Sequence, residues 1–130
     1  NPFYVADEIL SGLDTKLILV DMHAEATSEK AALGFYLDGR VSAVWGTHTH
    51  VQTSDAQVLP KGTGFITDLG MTGPAVSVLG IDPQQSIGKF LGEPPRRYES
   101  APGPGKMECA LITLDTETGK CLKMEALRIQ

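Results

Sequence analysis

No uninterrupted apolar run in this chain approaches the ~18 residues that a membrane span requires. The start, Asn1-Pro2-Phe3-Tyr4, carries no signal-peptide pattern, and the cytoplasm is the compartment expected by default. Positive charge is in deficit, with 11 Lys and Arg against 16 Asp and Glu. The net charge of −5 argues against nucleic acid or an anionic membrane as the main partner, although local basic sites remain open. Cysteine is scarce. Cys109 and Cys121 both fall in one expected hairpin, where a turn at Glu117-Thr118-Gly119 sets Leu114 opposite Cys121. Cys109 then lies too far away for a bond that needs Cα atoms within ~7 Å, so both are expected as buried free thiols, which suit a reducing compartment. There is no Ser nucleophile elbow, and no Cys lies near a His in sequence, so covalent catalysis has no candidate. Internal repeats and low-complexity tracts are absent too.

What is present suits one packed domain. The chain has 130 residues, 42% of them hydrophobic and 21% charged, which is ordinary for a globular protein with a core. Apolar residues at Val5, Ile9 and Leu13, with Ala6 and Leu10 beside them, predict a first helix. Lys16–Asp21 is a near-continuous β-favouring run, expected as a strand covered on both faces. Thr27, as N-cap, opens a helix running through Leu37, with Gly39 supplying the positive φ after its end. Val41–Gly46 is the next strand, so the order is that of a parallel, right-handed β-α-β unit. Gly64–Asp68 is expected as a further strand and the Gly- and Pro-rich Leu69–Pro74 as a loop. Asp82 and Pro83 supply the N-cap and first residue of another helix ending near Leu91. Glu93–Lys106, with four prolines, is an ordered excursion or a mobile loop. Met107–Asp115 and Lys120–Gln130 form the terminal hairpin. The fold class is α/β, a parallel β-α-β unit followed by antiparallel strands.

The chemistry concentrates in the histidines. All three lie where strands end: His23 after Lys16–Asp21, and His48 and His50 after Val41–Gly46. In an extended backbone, residues two apart point to the same side, so His48 and His50 are expected together. Ends of neighbouring parallel strands meet along one edge, where ligands bind. Three imidazoles there suggest a site for a divalent transition metal. Asp21 and Glu25 flank His23, as partners fixing a ring tautomer or as plain strand-end and helix-start residues. Asp68–Gly73 follows a strand on the same edge, and Thr72 and Gly73 are weak candidates for approaching a phosphate. Arg96-Arg97 beside Tyr98 is either a phosphate clamp or a solvated loop feature.

Taken together, Asp21–Lys30, Leu37–Val44, Gly46–Thr53 and Ile66–Pro74, with the Asp115–Lys120 turn of the terminal hairpin, closely resemble the YmdB-type bacterial metallophosphoesterases of the calcineurin-like superfamily. The resemblance implies a β-sandwich flanked by helices and a dinuclear iron or manganese centre. It also implies hydrolysis of 2′,3′- and 3′,5′-cyclic nucleotides. His23 matches the family's lone ligand on one metal, and His48 and His50 match the pair that ends the ligand set. The family's early Asp, bridging Glu, Asn and catalytic His have no counterpart here, so residues 1–130 correspond to the carboxy-terminal half of such a domain. Asn1 is accordingly expected to begin a cleaved product, a shortened chain or one piece of a protein in two parts. The expected partners are the amino-terminal half, a small cyclic nucleotide or phosphodiester, and further copies in a homo-oligomer. This piece alone is expected to be inactive. The competing possibility is a non-catalytic metal-binding or association module.

Overall fold

The computed structural model describes residues 1–130. Three layers form: two helices, a four-stranded mixed sheet and a three-stranded antiparallel sheet. Helix α1 (Pro2–Ser11) leads into β1 (Leu19–His23), α2 (Thr27–Tyr36) and β2 (Ala43–Thr47). Strands β1 and β2 are parallel, with His23 opposite Thr47, so the expected β-α-β unit forms. The first sheet is completed by β4 (Gly64–Ile66), parallel to β2, and β3 (Gln57–Val58), antiparallel to β4, in the order β1-β2-β4-β3. The second sheet contains β5 (Thr72–Pro74), β6 (Gly105–Leu114) and β7 (Cys121–Ile129). Helix α3 (Pro83–Phe90) lies in the excursion between β5 and β6. No helix is long and apolar enough to cross a membrane.

Two apolar clusters join the layers. Leu33 and Leu37 of the α2 region pack with Val44 of β2 and Phe65 of β4, and Phe3, Ala6 and Leu10 of α1 cover the edge of this cluster. On the opposite face of the sheet, Ile66 of β4 meets Cys121 and Met124 of β7. Two glycines let the layers approach. A Cβ on Gly34 would stand 2.5 Å from the Phe65 ring, and one on Gly64 2.8 Å from Cys121 Sγ.

The local signals expected for α3 and the hairpin are present. Asp82 caps α3 by accepting the Gln84 N–H at 2.8 Å, with Pro83 as its first residue. Leu114 stands opposite Cys121, and both cysteines are free, Cys121 buried and Cys109 half-buried. Asp115 Oδ1 accepts the Glu117 and Thr118 N–H groups to shape the turn.

Four expectations are corrected. The strand after α1 spans Leu19–His23 and alternates exposed and half-buried residues, because β1 is the edge of its sheet with nothing on its outer side. The buried face of α1 is Phe3, Ala6 and Leu10, whereas Val5, Ile9 and Leu13 face solvent. Ala26, with no capping side chain, precedes α2, and Thr27 is already helical. Finally, Leu69–Pro74 is not all loop, since Thr72–Pro74 pairs with Gly105–Met107 as an edge strand, a place where proline is tolerated.

One ion pair crosses the middle of the structure. Lys30 and Asp68 are both 0% exposed, with Lys30 Nζ 3.0 Å from Asp68 Oδ2. Burial pushes the Asp68 carboxyl up, but the Gly70 N–H, Lys30 and Thr49 outweigh it and hold the group below its usual value. Glu108 is treated alike: burial raises it, while Lys106, the Met71 N–H and Arg128 prevail and lower it. Carboxyls depressed in the folded state stabilise it above their unfolded values of roughly 4 and lose that contribution as pH falls. Denaturant midpoints should therefore be flat near neutrality and fall steeply below about pH 4, and Lys30→Met, which strands Asp68, should cost about 3–5 kcal/mol at pH 7. Gly46 tests the packing around this pair: its Cβ would collide with the Thr67 carbonyl and the Lys30 side chain. Gly46→Ala should destabilise by about 3 kcal/mol in urea unfolding; a neutral result would contradict this packing.

Candidate metal centre

The site begins with the parallel pairing of β1 and β2, which brings His23 and Thr47 side by side at the carboxyl ends of their strands. Thr47 Oγ1 donates to Asp21 Oδ1 at 2.9 Å and lies 3.1 Å from His23 Nδ1. A hydroxyl has one proton, and here it goes to the carboxylate. Nδ1 of His23 must then be the donor to Thr47, which leaves the lone pair on Nε2. That nitrogen faces His48 Nδ1 at 3.1 Å, the two rings meeting edge to face with centroids 4.9 Å apart. The other nitrogen of His48 lies 2.6 Å from Glu25 Oε2. Asp21, through Thr47, and Glu25 are thus the tautomer-fixing partners, but Glu25 serves His48 rather than the adjacent His23.

His50 departs from the expected arrangement. Its Nδ1 lies 3.4 Å from the Leu79 carbonyl oxygen, and it makes no hydrogen bond to the other two rings. Period-two alternation presumes extended backbone, and this segment is not extended. His48 has φ +110° and His50 φ +62°. The third non-glycine residue with positive φ in the chain is Leu79, the residue His50 touches. Such conformations cost about 1–3 kcal/mol each and persist only where the surroundings enforce them.

The enforcing groups are Lys30 and Asp68. Lys30 Nζ donates to the Thr47 carbonyl at 3.1 Å, just before His48, and Asp68 Oδ2 accepts the Thr49 N–H at 3.0 Å, just after it. Asp68 Oδ1 also takes the Gly70 N–H at 2.9 Å. Beyond His50, Gln52 Nε2 reaches the carbonyls of Leu69, Cys109 and Leu127, tying the segment to the second sheet. Sequence reasoning missed Lys30, giving it no part in the site. The signal was there, because Lys30, Leu33, Gly34 and Leu37 recur at i, i+3, i+4 and i+7, the spacing of one buried helix face. Thr72 and Gly73 stand in β5 and make no hydrogen bond to any histidine.

The donor chemistry suits a metal ion in part. Two nitrogens bound at ~2.1 Å to one ion stand about 3.0 Å apart at adjacent octahedral positions and about 3.4 Å apart at a tetrahedral ion, a range that includes the 3.1 Å between His23 Nε2 and His48 Nδ1. Each ring is also held at its other nitrogen, as metal-binding imidazoles are. No group of three or more His, Cys, Asp or Glu side chains is assembled here, so the pair is not a complete centre.

Comparisons with known proteins point to one family. The chain is 49% identical over 131 residues to a 2′,3′-cyclic-nucleotide 2′-phosphodiesterase of Bacillus subtilis (strain 168), matching 99% of this chain and 50% of that protein. Among solved structures, a novel phosphatase from Mycoplasma pneumoniae superposes with a TM-score of 0.93 at 42% identity, over 99% of this chain and 46% of that one. A hypothetical protein from Thermus thermophilus superposes with a TM-score of 0.91 at 41% identity, over 99% and 50%. The chain spans about half the length of the curated relatives it matches. The family model described as YmdB-like protein matches residues 1–127, and the chain belongs to that family.

Proposed function

We propose that this chain supplies His23, His48 and His50 to a divalent-metal centre that hydrolyses phosphodiesters, with cyclic nucleotides as the substrate class. The observation that carries the proposal is the pair of facing nitrogens on His23 and His48, each ring braced from behind. His50 joins from the side: with Nδ1 directed at the Leu79 carbonyl, its Nε2 remains for a second ion. Iron or manganese suits imidazole and carboxylate donors. A divalent ion held there supplies Lewis-acid polarisation of phosphoryl oxygens. The chain's own part is to orient. Asp21 and Thr47 keep His23 in one tautomer, Glu25 steadies His48, and Lys30 with Asp68 fixes the backbone from which His48 projects.

Residues 1–130 form the carboxy-terminal half of the catalytic domain, and the preceding half is the partner that completes the ligand set and provides the proton donor. The unpaired edge of β1 supports this, with Leu19 on it and Val5 and Ile9 exposed on α1, because a parallel sheet with an uncovered edge and face calls for more chain. The same uncovered apolar surface underlies the expectation of a homo-oligomer. The two free thiols fit a cytoplasmic setting.

In the full-length protein, His23→Ala and His48→Ala should each lower kcat/KM for a cyclic nucleotide by at least about 100-fold and reduce bound metal measured by mass spectrometry, with circular dichroism unchanged. Undiminished hydrolysis would instead identify a non-catalytic metal-binding module. The 130-residue chain alone, given Mn²⁺, should show no turnover above a metal-only control. The strain at residue 48 offers a separate check. In chelator-treated protein, His48→Gly should be more stable than His48→Ala by about 1 kcal/mol in urea titrations, because glycine adopts φ +110° without the strain that a Cβ brings.

A further inference from the structure

Leu79 breaks a local rule of chain geometry. Residues 78 to 81 form a tight hairpin, in which the Val78 N–H donates to the Ile81 carbonyl at 2.9 Å and the Ile81 N–H donates to the Val78 carbonyl at 3.0 Å. The two tip residues, Leu79 and Gly80, have φ +53° and +94°, the angles of a type I′ turn. Glycine at the second tip position is ordinary. At the first, asparagine, aspartate or glycine takes a positive φ with least strain, whereas the Cβ of a leucine crowds the carbonyl oxygen that follows it.

The surroundings hold this strained tip in place. Ser77 Oγ accepts the Gly80 N–H at 3.0 Å and donates to the Pro74 carbonyl at 2.8 Å. The Gly80 carbonyl accepts the N–H of buried Ala101 at 3.0 Å, and Ile81 bridges to Ser100. None of these bonds uses the Leu79 side chain, so none of them requires leucine. Packing does not require it either. Leu79 belongs to neither apolar cluster and is 49% exposed.

Strained residues with no structural return gather at ligand sites, and Leu79 stands beside one. Its carbonyl oxygen is 3.4 Å from His50 Nδ1. Covalent geometry then puts its Cβ within about 7 Å of that ring nitrogen. Val76 and Val78, also exposed, precede it, so an apolar stretch adjoins an edge whose other named groups are polar. Small-molecule sites combine such apolar surface with a few placed polar groups. In a cyclic nucleotide the reacting phosphate is polar, and a single sugar separates it from the flat face of the base.

We propose that the Leu79 side chain is a specificity-determining contact, which receives the apolar face of the nucleoside portion while the phosphate lies at the histidines. The identity of the ligand rests on the phosphodiester reading; the choice of residue rests on the turn. The test is Leu79→Asn in the full-length, metal-loaded protein. Asparagine suits the turn and keeps the carbonyl that meets His50, so bound metal measured by mass spectrometry should match wild type. The melting temperature should rise by about 2–4 °C. KM for adenosine 3′,5′-cyclic monophosphate should rise about tenfold with kcat within about threefold. KM for ethylene phosphate, a cyclic phosphodiester with no nucleoside, should change less than about twofold, and Leu79→Met, which stays apolar, should keep the nucleotide KM of wild type. A fall in melting temperature would show that the preceding half covers this side chain, lost metal would place the residue behind His50, and an unchanged nucleotide KM would show no contact with substrate. Each of these overturns the proposal. If the loaded enzyme hydrolyses no phosphodiester, the phosphodiester reading fails, and calorimetric titration with the same nucleotide takes the place of KM. Binding about tenfold weaker in Leu79→Asn then upholds the contact, while no binding by wild type, or equal binding by the variant, overturns it.

Discussion

Everything at the histidine edge depends on a lysine ammonium and a carboxylate buried together. Taking two such charges out of water costs several kcal/mol per ion, and their mutual attraction offsets it only when the remaining hydrogen-bonding capacity is used. Lys30 and Asp68 use it on loop backbone. The lysine takes the Thr47 carbonyl, and the carboxylate takes the N–H groups of Thr49 and Gly70. A hydrophobic pair of similar volume would fill the same space but could bind none of these groups. The effect of the buried pair is geometric: it fixes the chain on both sides of His48 and the start of the Gly70 turn. Gly46 is part of the same constraint, since any side chain there would displace the lysine stem.

That fixation explains how a histidine can sit at φ +110°. A strained residue relaxes unless its neighbours are held more firmly than the strain can pull, and on either side of His48 they are held by charge-assisted bonds out of reach of water. The outcome is a ring delivered to His23 with its nitrogen 3.1 Å away. An unstrained, extended continuation of β2 would have sent residue 48 and residue 50 to one face of the strand, and His50 would not reach Leu79. Two discrete positions for two imidazoles therefore depend on breaking the strand's regularity.

The parts of the fold legible in the sequence are those set by neighbours along the chain. Asp82-Pro83 caps and opens α3, Asp115 to Gly119 makes the hairpin turn, and the turn fixes Leu114 opposite Cys121. The β-α-β unit follows from the length of the crossover, and the place of His23 follows from that unit. What the sequence hid depends on distant partners. An apolar run such as Leu17–Val20 reads alike in a central strand and at an edge, because coverage is decided by chain elsewhere. The face that α1 buries was misjudged for the same reason. Lys30 was overlooked because of its identity: its helical position is that of a core residue, and its charge is tolerated only because Asp68, 38 residues later, meets it. Periodicity located His48 and His50 at the strand end and could not foresee their directions, which two positive φ angles decide.

The third positive φ angle belongs to the excursion rather than to either sheet. The carbonyl of Leu79 meets His50, and its neighbour Gly80 accepts the Ala101 N–H at 3.0 Å. The segment bearing α3 is thereby bolted to the histidine edge at its root and closed upon itself at residues 81 and 100. All the non-glycine positive φ angles in the chain belong to His48, His50 and the Leu79 that His50 touches. Local rules give way in natural proteins mainly where function requires a geometry that regular structure does not offer.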